Sequence, residues 1–115
     1  MDLSLDALLE FFLLSYPNAK GVSFHSLELP ITKFSGTGKK ILDKYKDIPM
    51  MSVDESFNTN FSFIVTNFGS IVIFFLEEVH FVSVFTESAE PNKELAQRMF
   101  EEFKEKFSAA IKNEQ

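Results

Sequence analysis

Apolar positions along the chain sort into two periods, and the clearest is helical. Leu95, Met99, Phe103, Phe107 and Ile111 recur every four residues, with Ala96, Phe100 and Ala110 beside them. This spacing predicts a long amphipathic helix over 92–112, with Glu94, Glu101, Glu102, Lys104, Glu105 and Lys106 on its outer face. Of the i, i+4 pairs there, Glu101–Glu105 repels and Glu102–Lys106 attracts. Residues 3–16 read as a second helix of another kind. Asp2, Asp6 and Glu10 mark one narrow polar stripe, and nearly everything else is apolar. Such a helix must be covered by more than one neighbour, whether from this chain or another. Pro17 and Asn18 stop it.

Between the helices the period falls to two. Gly21–Leu29 and Ile31–Phe34 are rich in strand formers and flank Pro30, as a hairpin or two short strands. Val22, Phe24 and Ser26 share one face there, and Ser23 and His25 the other. Gly36-Thr37-Gly38 breaks the pattern. Thr37 is placed to cap a short helix over 38–47, with Ile41, Leu42 and Tyr45 inward and its lysines outward. Residues 49–60 have no period and read as a loop. Strands follow at Phe61–Thr66, Ser70–Leu76 and Val79–Thr86, joined by turns at Asn67-Phe68-Gly69 and Glu77-Glu78. Both alternating faces of Ile71–Leu76 are apolar, so that strand is central and covered on both sides. The element order is α-β-β-α-β-β-β-α, an α+β class with a five-stranded antiparallel sheet flanked by helices.

Composition narrows the function classes. The 115 residues suit one domain spanning 1–115. Fifteen Phe and no Trp mean that phenyl rings fill the core. The absence of cysteine excludes disulfides, thiolate metal sites and a cysteine nucleophile. The net charge of −6 disfavours a nucleic-acid partner. That charge is unevenly spread: residues 33–46 carry +4, and residues 47–115 carry −7. The basic segment is either a solvated helix face or a docking patch for an acidic partner or an anionic membrane surface. The apolar run at 8–14 is preceded by acids and interrupted by Glu10, unlike a signal peptide, and no stretch reaches spanning length. The expected location is cytoplasmic, at most peripheral at a membrane through a partner. The sequon at Asn60-Phe61-Ser62 is then a chance match.

No catalytic constellation emerges. Ser35-Gly36-Thr37-Gly38-Lys39-Lys40 looks like a phosphate loop. However, Lys33 stands at its first glycine position and Lys40 where Mg²⁺ needs a hydroxyl. His25 and His80 lack metal-ligand spacing, and His80 reads as a sheet histidine facing solvent or a helix. Glu77-Glu78 and Glu101-Glu102 sit at turn and surface positions with no sign of a pocket to shift them. The expectation is a protein without enzymatic activity, cofactor or metal.

The element order and the stretch FSFIVTNFGSIVIFFLEEVHFVSVFTES over Phe61–Ser88 resemble the roadblock/dynein-light-chain family of the roadblock–longin superfamily. Leu5-Asp6-Ala7-Leu8-Leu9 leading to Gly21-Val22 is similar to that family's opening helix and first strand. The last helix also resembles the one that follows the meander in longin domains, although a longin domain normally starts with strands. The resemblance implies a dimerising, non-enzymatic platform that binds or regulates a small GTPase or a trafficking or motor complex. A longin-like trafficking subunit is the near alternative. A small acidic secretion chaperone that binds an effector segment is the distant one, with three strands before its middle helix. By resemblance the self-association surface falls on the middle helix and first meander strand. The candidate interface residues are therefore Lys39, Lys40, Ile41, Leu42, Lys44, Tyr45, Phe61 and Phe63. The partner is a homodimer mate or related subunit.

Overall fold

The computed structural model describes residues 4–28, 32–44, 60–77, 79–88 and 90–114. Its elements run α1 (Leu5–Ser15), β1 (Ala19–Ser26), β2 (Thr32–Gly36), α2 (Lys39–Lys44), β3 (Phe61–Thr66), β4 (Gly69–Glu77), β5 (His80–Thr86) and α3 (Lys93–Glu114). The five strands form one antiparallel sheet in the order β2-β1-β5-β4-β3. The α+β arrangement and its element order match the expectation. The middle strand is β5, and β4 lies beside it, inside the edge strand β3.

Strand alternation divides the side chains between two helical layers. Val22, Phe24, Val72, Phe74, Leu76, Val82 and Val84 pack with α1 and α3 on one face. Ile71, Ile73, Phe81 and Phe85 pack with Leu42 of α2 on the other. The two-sided apolar run in β4 is thus explained by a helix on each side. α1 turns Leu5, Leu8, Leu9 and Phe12 into the core, where β1, β2 and α3 surround it. Its cover therefore comes from this chain, and of its large apolar residues Phe11 and Leu14 are exposed. Ser4 caps α1 by accepting a hydrogen bond from the Ala7 amide. Lys33 of β2 reaches the Asp6 carboxylate on α1 at 3.1 Å.

Several local expectations shift. Thr37 does not cap α2, because its hydroxyl and its amide both donate to the Lys20 carbonyl, tying the β2–α2 connection to β1. Gly38 takes the cap position, its carbonyl accepting from the Leu42 amide. β2 runs on to Gly36, which pairs with Gly21. A Cβ on Gly36 would meet the Lys20 carbonyl and Leu13, so the close approach needs glycine. Gly69 begins β4 opposite Thr66 and is not part of a three-residue turn. Asn92 caps α3, its side chain accepting from the Leu95 amide, so the helix starts at Lys93. Lys106 lies over the rings of Phe103 and Phe11, at 5.0 and 5.8 Å, where an ion pair with Glu102 was expected. The expected loop at 49–60 lies outside the described residues, apart from Asn60.

Phe12 is the most connected ring of the core, within 4.9–5.5 Å of Phe103, Phe74 and Phe107. Replacing it with alanine removes contacts to two helices and the sheet at once. Phe12→Ala should lower stability by about 3–5 kcal/mol, read as a shifted denaturant midpoint. A loss below about 1 kcal/mol would contradict this packing.

Candidate docking surface

The β3–β4 hairpin closes through Asn67 and Phe68. The Thr66 hydroxyl donates to the Gly69 carbonyl at 2.8 Å and accepts from the Phe68 amide at 3.1 Å. Gly69, at φ 143°, completes the bend, and a Cβ there would collide with the Thr86 carbonyl. The fixed loop presents Phe68 outward, 70% exposed, with Val65 of β3 58% exposed next to it.

Across from this hairpin lies α2. Gly38, at φ 81°, lets the helix start against the Phe85 ring, where a Cβ would come within 2.6 Å. Leu42 points down onto the sheet and is buried. Ile41 is half-buried, and Lys39, Lys40 and Lys44 are exposed. Helix and hairpin together enclose a groove of about 780 Å³, lined by Lys39, Lys40, Ile41, Lys44, Val65 and Phe68 among others. Among the described residues that line it there is no carboxylate. β3 pairs only with β4 among the described strands, so the outer strand edge lies beside the groove.

The residues expected at an interface thus separate. Lys39, Lys40, Ile41 and Lys44 share the groove. Leu42 anchors α2 from below. Phe61 and Phe63 lie on the opposite face of the sheet, packed against the α1–α3 core, with their rings 5.6 Å apart. Tyr45 lies outside the described residues, as does Lys46. Sequence reasoning missed Val65 and Phe68. Their signal was an aromatic at the tip of a tight turn, beside the last apolar residue of the strand.

A second cleft, of about 500 Å³, opens between the end of α1 and the start of α3. Its serine and threonine hydroxyls are committed internally. Ser70 donates to the Ser88 carbonyl at 2.6 Å and lies 3.2 Å from the Thr86 hydroxyl. Tyr16 lines the cleft at 4% exposure, and burial pushes its phenol up to about 12. It therefore stays protonated at neutral pH and offers no base.

Both histidines are buried, and neither lines either cleft. His80 does not face solvent. It is 1% exposed on the α1–α3 side, stacked on Phe24, with Nδ1 3.0 Å from the Ser26 hydroxyl. The opposing position of Ser26 in the ladder puts it there. The Nε2 of His25 lies 3.1 Å from the Ser23 hydroxyl on the α2 side. The phosphate-loop-like segment is likewise engaged in the fold, with Thr37 on Lys20 and Gly38 on Phe85. Among the described residues no three His, Asp or Glu side chains converge as a metal site. No helix there is long and apolar enough to cross a membrane.

With the geometry assembled, the solved structures are decisive for the fold. A Roadblock/LC7 domain from Streptomyces avermitilis superposes with a TM-score of 0.69 at 8% identity, covering 95% of this chain and 98% of that one. The chain has the roadblock fold. MglC from Myxococcus xanthus superposes with a TM-score of 0.63 at 12% identity, covering 93% of this chain and 98% of that one. No family model matches the sequence, and no curated protein matches it. The roadblock architecture is thus shared at a level where sequence identity is nearly absent.

Tyr16 gives this roadblock fold an alkaline limit. Its folded value of about 12 lies above the ordinary 10.0. Below the ordinary value the native and unfolded forms both keep the proton. Between the two values only the unfolded chain releases it, so stability falls as pH rises. Urea midpoints of the wild type should drop across that interval, and Tyr16→Phe should flatten the drop. An unchanged slope in the variant would contradict a buried phenol.

Proposed function

We propose that the protein is a non-enzymatic adaptor, a single roadblock-type domain over 1–115. It pairs with a second copy or a related subunit through the α2–β3 side. The paired platform then binds or regulates a small GTPase or a trafficking or motor complex. The observation that carries the pairing is the exposed Phe68 at the hairpin tip, which lines a groove with Ile41 beside a strand edge that has no second partner among the described strands. Exposed rings and free backbone edges at one place are what a protein interface covers. The small GTPase enters through the resemblance to roadblock domains and the shared fold. The two serine–histidine contacts among the described residues, Ser23–His25 and Ser26–His80, involve buried rings that line neither cleft, which supports a binding role. The proposed location is cytoplasmic, with any membrane contact made through a partner.

The alternatives fit less well. Two strands precede α2 among the described residues, where a secretion chaperone has three. A helix precedes the first strand, where a longin domain starts with strands.

Pairing is tested by sedimentation equilibrium, on the isolated chain and with candidate subunits. Phe68→Ser, at an exposed hairpin tip, should weaken association about tenfold or more with no loss of folded signal. Ile41→Asp should abolish it. If both variants stay folded and associate like wild type, the interface lies elsewhere, and the exposed Phe11–Leu14 side of α1 becomes the candidate. The platform role is tested by titrating purified small GTPases, loaded with GDP or a GTP analogue, against the assembled pair. Absence of binding in both states would reject it.

A further inference from the structure

We propose that the cleft between the end of α1 and the start of α3 binds an extended peptide segment of a partner, with an apolar side chain on its floor and a lysine or arginine at its rim. The cleft shares no lining residue with the groove beside α2 among the described residues. The inference therefore stands apart from the reading of that groove as a pairing face.

Tyr16 points to an occupant. It is 4% exposed, its ring packs on Phe12 and Phe74, and it lines the cleft. Its backbone amide donates to the Phe12 carbonyl, but among the described residues its hydroxyl has no hydrogen-bond partner. The other hydroxyls of the cleft are all engaged. Ser70 and Thr86 meet each other and the Ser88 carbonyl, and the Ser88 hydroxyl accepts from the Glu90 amide. A phenylalanine would fill the same space with no polar atom to satisfy. The phenol keeps its proton at neutral pH, so it offers a donor to an incoming oxygen.

The start of α3 adds two donors. Ala96 makes the first intrahelical bond, to the Asn92 carbonyl, and the Asn92 side chain accepts from the Leu95 amide. The amides of Lys93 and Glu94 have no intrahelical acceptor, and both residues line the cleft. Successive carbonyls of an extended chain supply oxygens to donors spread in this way.

Charge separates a peptide from a free anion. Glu90 and Glu94 stand at the rim with Lys93, two exposed carboxylates against one ammonium. They oppose a phosphate or carboxylate at the helix start, and they favour a neutral carbonyl carried beside a basic side chain. Beneath them Phe63, Val72 and Leu95 give the apolar side chain its floor. A space of about 500 Å³ takes a short extended segment rather than a helix.

The probe is the blocked peptide acetyl-Ala-Leu-Arg-Ala-amide, titrated into isotope-labelled protein and followed through the backbone amide resonances. It should move the Lys93 and Glu94 amides saturably. The analogue with glutamate in place of arginine should bind about threefold or more weakly, and Glu90→Lys should remove that preference. Tyr16→Phe keeps the ring and should weaken binding about three- to tenfold, with circular dichroism unchanged. Phe68→Ser, at the other groove, should leave peptide binding as it is.

If the peptide gives no saturable shift at millimolar concentration, or binds Tyr16→Phe as tightly as wild type, the inference is overturned. Shifts confined to the groove beside α2 overturn it as well. If inorganic phosphate moves the same amides and displaces the peptide, the cleft is an anion site and the peptide reading falls. Loss of self-association in Tyr16→Phe, without peptide binding to wild type, overturns it in favour of a second copy of this chain.

Discussion

The Phe12 ring is the contact on which the layered structure depends. It projects from α1 between Phe103 and Phe107 of α3 and Phe74 of β4, meeting all three nearly edge-on. With the Phe11–Phe103 contact beside it, it joins the first and last helices to each other as well as to the sheet. With it, the chain's two ends are held in one layer by edge-to-face packing that fixes orientation as well as proximity. A core of phenylalanines without tryptophan follows from this requirement. Each ring fills volume with no polar atom to satisfy, and the pairwise geometry makes the filling specific.

That layer covers its face of the sheet except at the cleft between the end of α1 and the start of α3. On the other face α2 covers only part of the sheet through Leu42. The helix is held there by two glycine-dependent approaches, at Gly38 and at the Gly21–Gly36 pair, and by Thr37 on Lys20. The segment that resembled a nucleotide loop is therefore spent on seating a helix. Its lysines are carried on a rigid base to the side of the hairpin, which is what makes a groove of residues far apart in sequence.

How much of this could be read from residues alone depended on the range of the interaction. The two-sided apolar run in β4 and the four-residue period of α3 reported local burial directly, and both were legible. Thr37 and His80 were not. Their roles are set by partners 17 and 54 residues away, at Lys20 and Ser26, through hydrogen bonds that no local period encodes. The interface candidates show the same division. The lysines of α2 were visible as a charge cluster, and the groove unites them with Ile41. Leu42 was read as inward and is buried there, while Phe61 and Phe63 were assigned by element without their facing, and alternation sends them into the α1–α3 core. Val65 and Phe68 went unnoticed because exposed apolar residues look like core residues until the sheet is assembled.

The outer edge of β3 has a further consequence, for the protein's solubility. From Phe61 to Thr66 the strand contains no charged residue and no proline, the features by which sheet edges ordinarily discourage unwanted pairing. Such an edge is safe only while something occupies or shields it. Chains whose β3 edge is left bare would then be the sticky species, and their solubility would track the cover of six uncharged residues rather than their own fold stability.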